Sequence, residues 1–129
     1  MLHAQRAAYE TVQTTTADPA RVVLLLFDGA THFLRQAQEG LDRGEAGAFA
    51  YPLSRAHAII GELAGSLDYE VGGETAHNLG RLYDFMLRQL TQGLIAKSRT
   101  HLTQVLDLLQ QLREAFEQAV KTAKHEQPA

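Results

Sequence analysis

The positions of the helix-breaking residues constrain the fold of this chain more than any other feature. Only three prolines occur in 129 residues, at positions 19, 52 and 128, and glycines gather at 40, 44 and 47 and again at 72 and 73. Both residue types interrupt helices. Between these points apolar residues recur at spacings of three and four, the period of an amphipathic helix. The sequence therefore predicts four helices, and strand-like alternation is absent from it.

The first predicted helix begins with an N-terminal signal. Asp18 is a good N-cap, and Pro19 stands at the first helical position, where a missing N–H costs nothing. We expect this helix to continue to about Gly40. At about 100° per residue, half of its surface is apolar, and this half is formed by Val22, Val23, Leu26, Phe27, Ala30, Phe33, Leu34, Ala37 and Leu41.

The second predicted helix contains a proline inside an apolar stripe. The stripe consists of Phe49, Leu53, Ala56, Ile60, Leu63 and Leu67. Pro52 interrupts it, so either the helix begins near Tyr51 or it is kinked by a lost hydrogen bond and a ring clash. The pair Gly72-Gly73 is expected to end this element and to permit a chain reversal.

Two further stripes predict the third and fourth helices. The third is formed by Ala76, Leu79, Leu82, Tyr83, Met86, Leu87, Leu90 and Leu94; the fourth begins after Ser98 or Thr100 and is formed by Leu102, Val105, Leu106, Leu109, Leu112, Phe116, Ala119 and Val120. Short connections favour antiparallel neighbours. The predicted fold class is all-α, an antiparallel four-helix bundle with room for an extra short helix. We expect a single domain over residues 1–129, with a flexible N-terminal segment at 1–17 and a polar tail at 121–129.

Composition excludes several classes of function. The chain has no cysteine, which excludes disulfides and thiolate chemistry. A net charge of −3 with dispersed basic residues provides no stripe for phosphates, so nucleic acid is not an expected partner. The longest apolar run, Val22 to Phe27, is far shorter than a membrane span, and the first residues lack the pattern of a secretory signal. We therefore expect no membrane insertion and a cytoplasmic location.

Two histidines stand in sequence contexts that resemble metal-binding or phosphotransfer sites. His77 follows Glu74 in the Glu-x-x-His spacing of di-iron bundles, but a working site needs two such elements, and only one is present. His57 resembles a phosphotransfer histidine, yet the lysine expected three residues later is Ile60. No nucleophile stands in a spacing that suggests catalysis. We expect no enzyme activity, no metal and no cofactor.

Some apolar residues lie on faces that are otherwise polar. Leu24 and Leu25 share the polar half of the first helix, Phe85 projects among polar residues of the third, and Leu108 does so on the fourth. A helix that is apolar nearly all round must bury both sides. The N-terminal segment could cover these residues, or they could form a groove for an amphipathic helix of a partner. Both could be true if the N-terminal segment covers the groove when it is empty and leaves it when the partner binds.

A series of motifs resembles the flagellar secretion chaperone FliS family in order along the chain. These motifs are Ala8-Tyr9, Thr16-Ala17-Asp18-Pro19, Leu26-Phe27-Asp28-Gly29-Ala30, Ile59-Ile60-Gly61-Glu62-Leu63, Ser66-Leu67-Asp68-Tyr69-Glu70 with Gly72-Gly73, and Leu82-Tyr83-Asp84-Phe85-Met86. Pro52 departs from the family pattern, in which the second helix is continuous. The resemblance covers about residues 8 to 120.

The resemblance implies a function and a partner. It implies a helical bundle that binds the C-terminal segment of flagellin in the cytoplasm, prevents premature polymerisation, and delivers flagellin to the flagellar export gate. It also implies that the N-terminal segment caps part of the binding groove. The residues expected to form the groove and cap are Tyr9, Leu24, Leu25, Phe27, Ile59, Leu63, Tyr83, Phe85 and Met86. A phosphotransfer module and a self-associating bundle remain the alternatives.

Overall fold

Three connections of two or three residues join four helices in the computed structural model, which describes residues 18–126. The helices are α1 (Pro19–Asp42), α2 (Ala46–Gly65), α3 (Tyr69–Ala96) and α4 (Arg99–Glu126). Connections this short make successive helices antiparallel. Each helix packs against its neighbours along the chain, and α4 also packs against α1, so that α1 and α3 stand diagonally opposite each other, as do α2 and α4. The predicted all-α four-helix bundle is confirmed.

The core forms where the four apolar stripes meet. Residues of every helix are buried there: Phe27, Ala30, Leu34 and Ala37 from α1, Phe49, Leu53, Ala56, Ile60 and Leu63 from α2, Tyr83, Met86 and Leu90 from α3, and Leu102, Val105 and Leu109 from α4. No charged side chain of the described residues is buried. Burial of apolar surface is therefore the main stabilising contribution of the bundle.

Aspartates begin two of the helices. The Asp18 carboxylate accepts a hydrogen bond from the Ala20 N–H at 3.1 Å, which confirms the predicted N-cap of α1. Asp68 caps α3 in the same way, through the N–H groups of Glu70 and Val71. These bonds satisfy backbone donors that have no partner within the helix. At the other end of the chain, α4 continues to Glu126, past the start of the predicted polar tail.

Pro52 lies inside α2, and Gly40 of α1 packs against the backbone of α2 about one turn before this proline. Because α2 begins at Ala46, the alternative in which it begins near Tyr51 is wrong, and the proline lies inside the helix. Proline cannot donate a hydrogen bond to the carbonyl four residues earlier, which belongs to Ala48. A Cβ on Gly40 would overlap that same carbonyl group. Glycine at position 40 therefore allows α1 to approach α2 at the carbonyl that Pro52 leaves without its helical donor.

The boundary between α2 and α3 differs from the prediction. The second helix ends at Gly65, before the predicted glycine pair, because a cap at Asp68 starts a new helical turn. The expected break does occur at Gly73, whose φ of 54° and ψ of −131° are non-helical and suit only glycine. This break turns the first residues of α3 back along the helix, so that the hydroxyl of Tyr69 would lie 2.7 Å from a Cβ on Gly80.

Candidate partner-binding surface

Four of the predicted groove residues lie in the core. Phe27, Leu63, Tyr83 and Met86 are each no more than 4% exposed. Side chains this deeply buried hold the helices together and present no surface to a partner while the bundle stays intact. Their stripes face the other helices, which periodicity alone does not distinguish from a stripe that faces a partner.

The other described candidates are at the surface. Leu25 is 52% exposed and Phe85 is 41% exposed, while Leu24 and Ile59 are half-buried. The Cδ1 of Ile59 lies 3.4 Å from the position that a Cβ would take on Gly29, so its side chain fills the seam between α1 and α2. Partner contact therefore remains a proposal for these four residues alone. Tyr9, the predicted cap residue, lies outside the described residues.

Leu24 and Phe85 lie on opposite flanks of α4. Residues four positions apart share a helix face, and Leu24 stands four residues before Asp28, which pairs with Arg113 of α4. Phe85 likewise stands four residues before Gln89, which bonds Gln104 of α4. Because α1 and α3 are diagonally opposite in the bundle, α4 lies between the two side chains. A single narrow groove does not contain both, and a ligand that contacts both must cross α4.

Leu108 is not the exposed residue that the sequence analysis expected. It is half-buried and packs against the core cluster. The Gln89 to Gln104 hydrogen bond sets an antiparallel register that brings Phe85 level with Leu108. The apolar surface at Phe85 therefore extends from α3 towards the flank of α4.

Further apolar side chains are exposed where the sequence analysis expected none. They are Tyr51, Tyr69, Val71, Leu94 and Ile95, and Ile95 is 74% exposed. Leu94 was assigned to the core stripe, but it is 38% exposed. The position of Ile95 carried a signal, because at about 100° per residue it lies on the side of α3 opposite the buried Met86.

The two histidine sites have no arrangement that supports chemistry. The Nδ1 of His77 lies 2.9 Å from the carbonyl oxygen of Gly73, and its ring centroid lies 4.8 Å from that of Tyr69. His77 thus belongs to the turn at the start of α3. No cluster of potential metal ligands occurs in residues 18–126. His57 is half-buried in the groove between α2 and α3, beside Leu87 and Thr91.

The interface between α1, with its cap residue, and α4 carries the ion pairs that join two helices of the described residues. Arg113 donates hydrogen bonds to Asp28 and to Glu117, which raises the pKa of its guanidinium. Hydrogen bonds from Lys121 and from Arg113 lower the pKa of Glu117. These groups are exposed enough for solvent to screen them. This charged face has a different chemistry from the apolar surface around Phe85.

Comparison with known proteins identifies the family. The family model described as flagellar protein FliS matches residues 1–123 of the chain. The chain belongs to the FliS family. A FliS relative from Salmonella typhimurium, named flagellar secretion chaperone FliS, is 38% identical over 104 residues, which are 80% of this chain and 77% of the relative.

Two further FliS relatives show similar coverage. The flagellar secretion chaperone FliSB of Pseudomonas aeruginosa is 32% identical over 81% of this chain and 83% of its own length. The flagellar secretion chaperone FliS of Bacillus subtilis is 28% identical over 91% of this chain and 86% of its own length. The names of these FliS proteins describe chaperones and not enzymes, in agreement with the expectation drawn from the sequence. Within residues 18–126, the helices lack the combination of length and apolar composition that crossing a bilayer requires.

Proposed function

We propose that this FliS-family protein is a flagellar secretion chaperone that acts in the bacterial cytoplasm. It binds the C-terminal segment of flagellin, prevents its premature polymerisation, and delivers it to the flagellar export gate. The observation that carries the proposal is the family match over residues 1–123, supported by relatives that are named flagellar secretion chaperones. The bundle provides the physical means of binding, because it exposes apolar side chains on helices that are already folded.

The proposed binding surface consists of Leu24, Leu25, Ile59 and Phe85. A partner helix that buries an exposed side chain of this size gains about 1.5–3 kcal/mol for each one fully removed from water. Leu25 and Phe85 offer the largest exposed fractions of the four. The separation of Leu24 from Phe85 by α4 favours a partner that is long enough to wrap around the bundle. A segment that is disordered when free can do this, at the cost of several kcal/mol for its ordering.

We also propose that the N-terminal segment competes for part of this surface, with Tyr9 as its anchor. The segment joins α1 at Asp18, less than two helical turns before Leu24. An extended chain spans roughly 3.3 Å per residue, so the residues before Asp18 have ample reach to this surface. A cap of this kind would shield apolar residues when flagellin is absent.

Binding of a flagellin C-terminal peptide tests the proposal. Isothermal titration calorimetry should detect binding by the parent protein, whereas the double variant Leu25→Glu with Phe85→Ser should bind at least 10-fold more weakly. Both side chains are substantially exposed, so the circular dichroism spectrum and melting temperature should change little. Ile95→Ser is the matched control, because it removes an exposed apolar side chain near the C-terminal end of α3. It should bind as the parent does.

The outcomes separate the alternatives. If the parent fails to bind the peptide at tens of micromolar, flagellin is not the partner. Concentration-dependent self-association would then favour the self-associating bundle. If the parent binds and the double variant binds equally well, the chaperone proposal survives, but the binding surface lies elsewhere.

A further inference from the structure

All ion pairs that join two helices of the described bundle lie between α1, with its cap residue, and α4. Asp42 lies 2.7 Å from Arg99, Asp28 lies 2.6 Å from Arg113, and Asp18 lies 3.4 Å from Lys124. A hydrogen bond from Gln38 to Thr103 stands in the same row. The N-terminal helix provides every carboxylate and the C-terminal helix provides every cation. We call this row of pairs the electrostatic seam.

The spacing of the charges matches the antiparallel arrangement of the two helices. The three aspartates are separated by 10 and 14 positions, and the three cations, in chain order, by 14 and 11. In the antiparallel arrangement these intervals match within one residue, or about 1.5 Å of helix axis. In a parallel arrangement the intervals would differ by four and three residues, which is about one helical turn. Only the antiparallel arrangement pairs all three charges.

The pair at one end of the seam opposes the preferences of its own helices. Asp42 is the last residue of α1 and Arg99 is the first residue of α4. Helix dipoles favour cations at the C-terminus and acids at the N-terminus, so each charge is unfavourably placed within its own helix. The Arg99 guanidinium nevertheless contacts both carboxylate oxygens of Asp42, at 2.8 and 2.7 Å. Any stabilisation from these two charges must therefore come from their attraction across the interface.

We propose that the electrostatic seam fixes the register in which α4 docks on α1, within the antiparallel direction that the short connections impose, and that salt weakens this docking. Apolar stripes alone specify register poorly, because small shifts along the axis still bury similar surface, whereas three charge pairs at unequal intervals match in one position only. The inference stands on the structure of the bundle and does not depend on the identity of the partner.

A double-mutant cycle at the end pair tests the proposal. The variants are Asp42→Arg, Arg99→Asp and the two together, unfolded with urea at low salt and at 1 M NaCl. We expect the two substitutions to be coupled by about 3-fold or more in the unfolding equilibrium constant at low salt. The exchanged pair also agrees with both helix dipoles, so the double variant should be at least as stable as the parent. At 1 M salt, where the Debye length is about 3 Å, the coupling should fall towards 1-fold.

A relocated cation provides the matched control. The variant Arg99→Thr with Thr100→Arg keeps the composition and net charge but moves the cation about 100° around the axis of α4, and it leaves the hydrogen bond from Gln38 to Thr103 in place. It should lose the coupling to Asp42, and hydrogen exchange should accelerate at the C-terminal turn of α1 and the N-terminal turn of α4. If a charge-reversed variant fails to fold, the neutral cycle of Asp42→Asn and Arg99→Gln provides the same measurement, with an expected coupling of about 2-fold.

Three results would each overturn the inference. The first is a coupling below about 1.5-fold at low salt in the charge-reversal cycle, or in the neutral cycle where that replaces it. The second is a coupling that 1 M salt leaves unchanged. The third is a relocated cation that stabilises the protein as well as Arg99 does.

Discussion

Tyr83 carries a titratable phenol on the buried face of α3. Its side chain is buried in the core cluster, and burial raises the pKa of the phenol above its usual value of 10.0. The folded state therefore holds this proton more tightly than the unfolded state does. As pH rises above 10.0, the unfolded chain loses the proton first, so the free energy of unfolding falls until pH passes the raised pKa of the folded state.

Replacing Tyr83 with phenylalanine should remove this source of alkaline destabilisation. The stability of Tyr83→Phe near pH 8 is expected to stay within about 1.5 kcal/mol of the parent. Above pH 10 the variant should lose less stability than the parent, because no phenol at position 83 ionises on unfolding. Urea unfolding at pH 8 and pH 11 measures the difference. Tyr51→Phe, at an exposed site, is the control and should follow the parent. Equal losses in the parent and Tyr83→Phe would contradict the prediction.

At the same scale, the sequence separates inward from outward residues well but does not identify a binding surface. Phe85 and Met86 are adjacent, and the helical period correctly places one outside and the other inside. Leu63 and Phe27, in contrast, were assigned both to core stripes and to the predicted groove, and both are buried. An angle around a helix does not say whether the neighbour on that side is another helix of the bundle or solvent. That information comes only from how the helices pack.

The contact between α1 and α2 depends on a pair of residues that are unusual within helices. Pro52 removes the N–H that would bond the Ala48 carbonyl, and its ring tends to push that carbonyl away from the helix axis. Gly40 presents an α-hydrogen towards the same carbonyl, since a Cβ in that place would overlap it. A Cα–H to oxygen contact can partly replace the lost hydrogen bond. The two residues therefore act together in packing the helices.

Alanine substitutions test this arrangement at the level of helix packing. Gly40→Ala should destabilise the bundle by about 1–3 kcal/mol, because the new methyl group forces α1 and α2 apart. Gly61→Ala, inside α2 where a Cβ meets nothing within 4 Å, should instead stabilise it by about 0.5–1 kcal/mol.

The combination of Gly40→Ala with Pro52→Ala should cost less than the sum of the single changes. Alanine at position 52 restores a donor that draws the Ala48 carbonyl back towards the helix axis. Thermal and urea unfolding of Gly40→Ala, Pro52→Ala, the double variant and the control Gly61→Ala measure these differences. Strict additivity would show that the two positions act independently.

Helix number and caps could be predicted from the sequence, but the limits of α2 could not. The N-cap at Asp18 and the break at Gly73 have local causes that the sequence states directly. Pro52 left two alternatives open, a late start of α2 or a proline inside the helix, and packing against Gly40 accommodates it inside the helix. The glycine pair was predicted to end α2, whereas the cap at Asp68 starts α3 before Gly72. In both cases a contact or cap outweighed the intrinsic preference of one residue.

At the scale of the whole molecule, the helices form a closed ring in chain order. The contact of α4 with α1 is the only interface of the described bundle that joins helices distant in sequence, while α1 and α2 share the most extensive interface. The pairing of Asp18 with Lys124 places the outer ends of α1 and α4 at the same end of the bundle. If these ends were joined and another connection were opened, the α4 to α1 interface would become local, and the interface at the opened connection would become non-local.

Two circular permutants should therefore differ in folding rate. Opening the chain between Lys97 and Ser98 makes the α3 to α4 interface non-local and makes the α4 to α1 interface local, so the refolding rate should stay within about 3-fold of the parent. Opening at Gly44 makes the most extensive interface non-local, and this permutant should refold more slowly. Stopped-flow refolding of the two proteins, joined by the same linker, measures the difference. Faster folding of the permutant opened at Gly44 would contradict the prediction.

The electrostatic seam also has an evolutionary consequence. Reversing the charge at Asp42 alone replaces an attraction by a repulsion, whereas reversing Asp42 and Arg99 together restores the attraction and relieves both helix dipoles. Substitutions at these two positions, which stand 57 residues apart, should therefore be inherited in pairs. Related proteins are expected to change the sign of both charges by compensating mutations. Covariation of these two positions should therefore mark the contact of α1 with α4 even where most other residues have changed.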